Sequence, residues 1–562
     1  MSTTAARPDL DPITVEVIRN KLDGIANEME LTLVRSAFST IVKEGLDASA
    51  SIFTLNGETL AQAIAIPIHL VTLLPMVRHL LEKYPVASMK EGDAFVMNDP
   101  YLGGTHLPDI AVMMPVFHQG QPIAISATMT HHQDVGGMAP GSTPTNATEI
   151  FQEGLRIPLL KLMDQGVLNP TFMAMLKRNV RIPEIVTGDL MAEISACSIG
   201  ARRLKELGEI YGGNFLISVF DELLDRSEKM TQAALRRIPN GSYTYTDYLD
   251  NDGVDLDRLV PITVTVNIDD NGIEFDFTGS SPQVRGPFNC VPSGSLAASC
   301  FAVRAVTDPD QSIPNNGGCF RPLSLKLPPG SIVNPNEPAP VGCRTSTIKR
   351  ITSVVLGALR EAVPDRVPAD PGGEEVILHF GGRRADGRGF VTSQILIGGS
   401  GASAGKDGVD VIETDATNCM NIPAEALELE APIRVHRASL APDSGGPGER
   451  RGGLGAWLEY EMLEGEITIT YRGERHFCQA AGAAGGQAGG FASAEIRRKD
   501  GSVHSIPSKE VARMTAGERL IIKTAGGGGY GTPGARPKTE VQADIENGKV
   551  TAAAAESIYG AG

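Results

Sequence analysis

Between Asp99 and Asp134, side chains able to bind a metal alternate with apolar runs that read as buried strands, and this pattern most limits how the chain can fold. The stretch holds His106, His118, His131 and His132, four of the ten histidines, together with Asp99, Asp109 and Asp134. Val112 to Val116 and Pro122 to Thr128 predict two strands, with a turn at His118-Gln119-Gly120-Gln121. His118, in that turn, is expected to be solvated. The second strand delivers His131 and His132 at its end. Neighbouring strand residues point to opposite faces, so only one of the pair can reach a metal from an extended backbone. The other is left as an acid/base or a packing group.

His106 and Asp109 lie three positions apart in a loop, with Gly103-Gly104 before them and Pro108 between. Two glycines let the backbone turn sharply, so both side chains can face one point. Imidazole and carboxylate together suit zinc, manganese or iron and do not suit calcium. The competing reading is a polar core satisfied by its own hydrogen bonds. A further ligand has to come from elsewhere. Asp47 qualifies, placed between a long helix and the strand Ala50 to Thr54, but an Asp there can equally cap or close the turn.

The chain has 562 residues, which predicts two to four domains. Its 63 glycines and 37 prolines favour many turns and a loop-rich β architecture. The expected fold is mixed α/β and multidomain: a helix-plus-strand metal domain over 1–145, a mainly helical segment over 146–239, a mixed α/β domain over 240–373, and a glycine-rich, strand-rich domain over 374–562. Asp11 can cap a helix with Pro12 in its first turn, and Ile18, Leu22, Ile25 and Met29 carry that helix to about Thr40. Leu70 to Lys83 predicts a second helix. Ser295 to Val306 and Ser346 to Ala362 predict two more. Ser242 to Tyr248 alternates as a strand. Ile262 to Ile268 and Ile273 to Phe277 form a hairpin. Further hairpin turns are expected at Leu463-Glu464-Gly465-Glu466 and Lys499-Asp500-Gly501.

A net charge of −17 argues against nucleic acid and anionic membranes as partners. Seven scattered cysteines without a C-x-x-C fit a reduced cytoplasmic setting. Met1 to Asp11 lacks the apolar core of a signal peptide, and no apolar run is long enough for a membrane span. Ser400 to Asp407 imitates a phosphate loop, but Ser400 replaces the first glycine and Asp407 the Ser/Thr, so a surface loop is expected. Gly526 to Gly529 reads as a structural turn. The helix opening at Cys343-Arg344-Thr345 could receive an anion at its N-terminus, or be simply capped.

Taken together, several segments resemble the hydantoinase B/oxoprolinase family, which includes large subunits of ATP-dependent ketone carboxylases. They are Asp11 to Val17, Glu44-Gly45-Leu46-Asp47-Ala48-Ser49, Pro67-Ile68-His69-Leu70, Asn98-Asp99-Pro100-Tyr101, and Gly103-Gly104-Thr105-His106 with Asp109. Glu149 to Pro158, Pro287-Phe288-Asn289, Pro314 to Gly318 and Gly526 to Gly531 extend the resemblance along nearly the whole chain. The family's metal pattern falls on Asp47, His106, Asp109 and His131. The resemblance thus raises Asp47 above a cap and selects His131 over His132. His132 and Asp134 remain for acid/base work.

What the resemblance implies is one subunit of an ATP-dependent cyclic amidohydrolase in a hetero-oligomer, such as a heterotetramer. A partner of the hydantoinase A type, with an actin-like ATPase fold, would use ATP and magnesium to phosphorylate the carbonyl oxygen of a hydantoin or lactam. The metal in this chain would then serve hydrolysis. A ketone carboxylase subunit of the acetone or acetophenone type is the alternative, and the greater length of such subunits leans the reading to the hydrolase. A non-catalytic scaffold with a closed structural metal is the third.

Overall fold

The computed structural model describes residues 10–64, 66–373 and 375–560. Most of the segment read as leaderless lies outside them. Helix α1 (Pro12–Ser36) opens on Asp11, whose carboxylate accepts from the N–H groups of Ile13 and Thr14. The helix stops short of the expected Thr40, because the Asp189 carboxylate accepts from the backbone N–H of Phe38 and Ser39. A single turn, α2 (Thr40–Lys43), follows.

The first sheet is built from β1 (Ala48–Phe53), β2 (Thr59–Gln62), β3 (Ala94–Met97), β4 (Asp109–His118), β5 (Gln121–His131), β6 (Leu160–Asp164) and β7 (Val167–Leu168). Its order is β2-β1-β5-β4-β3-β6-β7. Helix α3 (Pro67–Lys83) covers one face, meeting Phe53, Phe95, Met113, Ile125 and Met129. Helix α1 covers part of the other, together with α4 (Pro170–Asn179) and α5 (Pro183–Tyr211). Alternation along the strands therefore sorts odd-numbered residues of β4 and β5 toward α3 and even-numbered ones toward α5.

The segment 146–239 is mainly helical from α4 onward, but its first part departs from the expectation. Residues 146–169 hold only a short 3-10 turn of helix (Ile150–Gln152), and a Gln165-Gly166 turn, with φ +50° and +89°, closes the β6–β7 hairpin onto the sheet edge. His118 is not solvated either. It ends β4 buried, against Gly208 and Gly213, with Glu209 3.5 Å from its Nε2. The actual turn is the two-residue Gln119-Gly120, both at positive φ.

After α6 (Gly213–Leu235) comes a second sheet, β8 (Gly241–Leu249), β9 (Val260–Ile268), β10 (Ile273–Asp276) and β11 (Leu323–Lys326), in the order β11-β10-β9-β8. Its buried face meets α8 (Arg344–Ala362), which packs beside α7 (Pro292–Thr307). The remaining strands are β12 (Glu375–Arg383), β13 (Gly389–Ile397), β14 (Ile433–Leu440), β15 (Ala456–Met462), β16 (Glu466–Arg472), β17 (Ser493–Arg497), β18 (Val503–Ser505), β19 (Lys509–Thr515) and β20 (Arg519–Lys523). They form two sheets, β13-β12-β16-β19 and β14-β15-β20-β17-β18, that share one apolar core. The turn after Met462 is thus not a hairpin: it carries the chain from one sheet to the other.

The glycine-rich segments are only partly peripheral: Ala404, Gly405 and Lys406 are exposed, as expected of a surface loop, but the start of that loop is interior. Gly401 and Ala402 are buried, and Ala402 N–H donates to Gly528 O. A Cβ on Gly527 would fall 2.0 Å from Ser400 O, so only glycine permits that approach. None of the seven cysteines forms a disulfide among the described residues. No helix among the described residues is long and apolar enough to cross a membrane.

Candidate metal centre

Three strand ends meet at one rim of the first sheet. β4 begins at Asp109, β5 ends at His131, and β1 begins just after Asp47, whose carbonyl accepts from His131 N–H. Asp109 and His131 are direct cross-strand partners, so both face α3. A register shift between Val116 and Phe117 produces that pairing. Without it, the register near the turn (Phe117 opposite Pro122) would set Asp109 against Thr130 and turn His131 to the other face. The loop before β4 reverses at Gly103, at φ +115°, and returns His106 over Asp109. Leu46, at φ +56°, performs the corresponding reversal before Asp47.

His106, Asp109 and His131 converge tightly and are buried. His106 Nε2 lies 3.0 Å from Asp109 Oδ1 and 3.2 Å from His131 Nδ1, and His131 Nδ1 lies 3.3 Å from Asp109 Oδ1. Asp47 Oδ2 is 3.9 Å from His131 Nδ1. His106 Nδ1 lies 2.8 Å from Gly342 O, and a carbonyl can only accept, so Nδ1 carries the proton. Burial, then the Arg344 charge, lowers the His106 pKa to about 3, which leaves Nε2 bare at neutral pH. A bare imidazole nitrogen facing a carboxylate oxygen at 3.0 Å is two acceptors without a hydrogen between them. The donor set that His106, Asp109 and His131 bring together fits a divalent transition metal, and Asp47 stands beside it.

Two residues that sequence reasoning did not place in the site surround it. His69, from the first turn of α3, sits with Nε2 3.5 Å from both Asp47 Oδ1 and Asp109 Oδ2. Burial opposes its protonation, but the two carboxylates outweigh burial and raise its pKa. Arg344, at the start of α8, donates to Asp109 Oδ2, as does Thr105 Oγ1. Burial alone would raise the Asp109 pKa, yet His106, Arg344 and His69 hold it well below the usual carboxylate range. A histidine in the opening turn of an apolar helix was the available signal for His69. Arg344 lies in the helix opening expected either to receive an anion or to be simply capped, and its guanidinium instead reaches Asp109.

His132 and Asp134 have other partners. His132 lies on the α5 face, with Nε2 3.1 Å from Glu193 Oε2. Burial pushes the Glu193 carboxyl up to about 7. Asp134 pairs with Arg181 at 2.8 Å and accepts from the N–H groups of Gly136, Gly141 and Arg181. His379 of β12, also unforeseen, closes the other side: Nε2 meets Thr143 Oγ1 and Nδ1 meets Ser393 Oγ, each at 2.7 Å. Burial, then the proximity of His131, Arg472 and His106, holds its pKa well below the imidazole norm.

The fold and cluster define a class: a multi-sheet α/β protein with a buried His/Asp cluster that could hold a metal at the rim of its first sheet. The family model for hydantoinase B/oxoprolinase matches residues 11–533, and the chain belongs to that family. An uncharacterized protein of Methanocaldococcus jannaschii is 37% identical, with 98% of this chain and 96% of that one covered. The caprolactamase subunit beta of Pseudomonas jessenii is 33% identical over 98% of this chain and 96% of its own. The crystal structure of the ATP-dependent caprolactamase from that organism superposes with a TM-score of 0.90 at 31% identity, covering 98% of this chain and 96% of the other. A nucleotide-free acetone carboxylase structure shares the fold, with a TM-score of 0.91 at 19% identity over 99% of this chain and 80% of that one.

Proposed function

We propose that this chain is the metal-carrying subunit of an ATP-dependent cyclic amide hydrolase, acting on a hydantoin or lactam whose carbonyl has been phosphorylated by a partner ATPase subunit. The observation that carries the reading is a buried His/Asp cluster in a chain that superposes almost end to end on an ATP-dependent caprolactamase. Asp47, His106, Asp109 and His131 would hold one zinc, manganese or iron. Such an ion supplies Lewis acidity toward a carbonyl or phosphoryl oxygen and generates hydroxide near neutral pH. Gly342 O fixes the His106 tautomer, while Arg344 and Thr105 fix Asp109 and leave its Oδ1 toward the cluster.

For His132 and Asp134, the surroundings support positioning. His132 ties the end of β5 to α5 through Glu193, and Asp134 anchors the loop after β5 through Arg181. The ketone carboxylase reading rests on fold likeness to acetone carboxylase, which says nothing of substrate.

Elemental analysis of the purified chain tests the site. One equivalent of metal in the wild type, lost in His106→Ala, is expected. Assays with the ATPase partner then separate the chemistries: ATP-dependent opening of hydantoins or lactams is expected, and carboxylation of ketones without ring opening would overturn the hydrolase reading.

A further inference from the structure

Arg472 ends β16 and is a buried guanidinium with no ion pair among the described residues. It is among the largest fully buried side chains, and none of its three nitrogens has a hydrogen-bond partner among the described residues. Its side chain lies against the Cys343 thiol, a poor acceptor. Burying a charge without a partner is costly, and a chain normally keeps such a group only where something else completes it.

The surroundings are those of an oxyanion receptor. Cys343 is the N-cap of α8, a 19-residue helix, and supplies no side-chain cap to its first turn. The positive end of that helix therefore opens beside Arg472. Arg472 pairs in register with Lys509 of β19 and Ile377 of β12, and His379 pairs with Thr470 two positions away, so Arg472, Lys509, His379 and Thr470 share one sheet face. Thr470 Oγ1 is likewise buried without a partner. Lys509 is held by Glu474 at 2.7 Å and adds positive charge. The nearby Glu153 carboxyl, which packs against the turn before the helix, is occupied by the N–H groups of Val341 and Gly342.

This receptor adjoins the metal cluster through three successive residues. Gly342 O orients His106, Cys343 touches Arg472, and Arg344 holds Asp109. We propose that Arg472 and the N-terminus of α8 bind a phosphoryl oxyanion next to the metal cluster. A tetrahedral, multiply charged oxyanion uses both a guanidinium fork and helix N–H groups. The assignment rests on the hydrolase reading only for the origin of that phosphoryl group, either the activated substrate or released phosphate.

Calorimetric titration of the full-length, metal-loaded chain with inorganic phosphate tests it, with phenyl phosphate as a second titrant. Saturable phosphate binding is expected, weakened about tenfold or more in Arg472→Met, the loss of a charge-assisted hydrogen bond. Metal content should stay at the wild-type value in the variant. If both titrants bind, the site takes the phosphoryl group of the activated substrate; if only inorganic phosphate binds, it takes the product. Thermal melts without phosphate give an independent reading. Arg472→Met should melt at or above the wild type, because an uncompensated buried charge has gone. Equal phosphate affinity in the two proteins, no binding by a fully metal-loaded wild type, or binding of bicarbonate in place of phosphate would overturn the proposal. So would a variant that melts well below the wild type while phosphate leaves the wild-type melt unchanged. Lost metal content with intact phosphate binding would instead count against the metal reading alone.

Discussion

Helix α8 feeds two buried polar centres that differ in one respect. Near its start, Arg344 reaches a cluster of two carboxylates and three imidazoles in which a bare nitrogen faces a carboxylate oxygen. Further along, Arg350 reaches Asp247, which also accepts from Arg475 through two nitrogens at 3.1 and 2.9 Å. Asp247 is fully answered by protein donors. Burial alone would raise its pKa, but Arg350 and Arg475 drive it far below the ordinary value. Buried charge by itself therefore does not mark a functional site. What distinguishes the first centre is a pair of facing acceptors, His106 Nε2 and Asp109 Oδ1, with no hydrogen between them.

The sharpest way to break this contrast is to remove one member of each centre. Asp247→Ala strands two buried arginines and is expected to cost about 3–5 kcal/mol of stability in urea denaturation, with metal content unchanged. His106→Ala is expected to lose the metal and keep the fold. Should Asp247→Ala leave stability intact, the Asp247 centre would not be the structural one.

How far the sequence reveals the first centre follows from distance along the chain. His106, Asp109 and His131 are legible because one hairpin and one loop carry them, and the expected strands exist, though longer than read. Choosing His131 over His132 is not legible from alternation. It depends on the bulge at Val116-Phe117, which nothing in that apolar run announces. His379 and Arg472 arrive from one sheet more than two hundred residues along the chain, and local pattern carries no information on which sheet face covers the cluster. The misread stretch 146–169 shows the same limit at short range: its Gln165-Gly166 turn was a hairpin signal, outweighed by the helices that follow it.

A pH series sharpens the comparison next. Burial lifts the Glu153 carboxyl from an ordinary 4.5 to about 8, against the N–H groups of Gly342 and Val341 that pull it down. The folded state thus holds a proton that the unfolded chain releases above its ordinary value. The contribution is complete below pH 4.5, is lost progressively as pH rises toward 8, and is constant beyond. Glu153→Gln should flatten the fall in stability between pH 6 and 8, read by denaturant unfolding. Asp247 behaves oppositely. Its depressed pKa supplies stability above the ordinary carboxylate range, lost only as pH falls well below it, so the slope near neutrality should be the same in Asp247→Asn as in the wild type. A slope unchanged by Glu153→Gln would show that Glu153 is ionised in the folded protein.

The smallest expected effect bears on how the open centre is held. His69 touches Asp47 and Asp109 from the side and belongs to the surroundings of the proposed ligands. If it orients the two carboxylates, His69→Gln should fold normally and bind metal about 10- to 100-fold more weakly, the usual consequence of losing an outer partner. Competition with a chelator measures this directly. A complete loss of metal, equal to that of His106→Ala, would make His69 a ligand in its own right. That would give the metal three imidazole ligands and explain why the opening turn of α3 places a histidine against two carboxylates. Wild-type affinity in His69→Gln would leave Arg344 and Thr105 as the groups that set Asp109, and the asymmetry between the two centres would then rest on the acceptors alone.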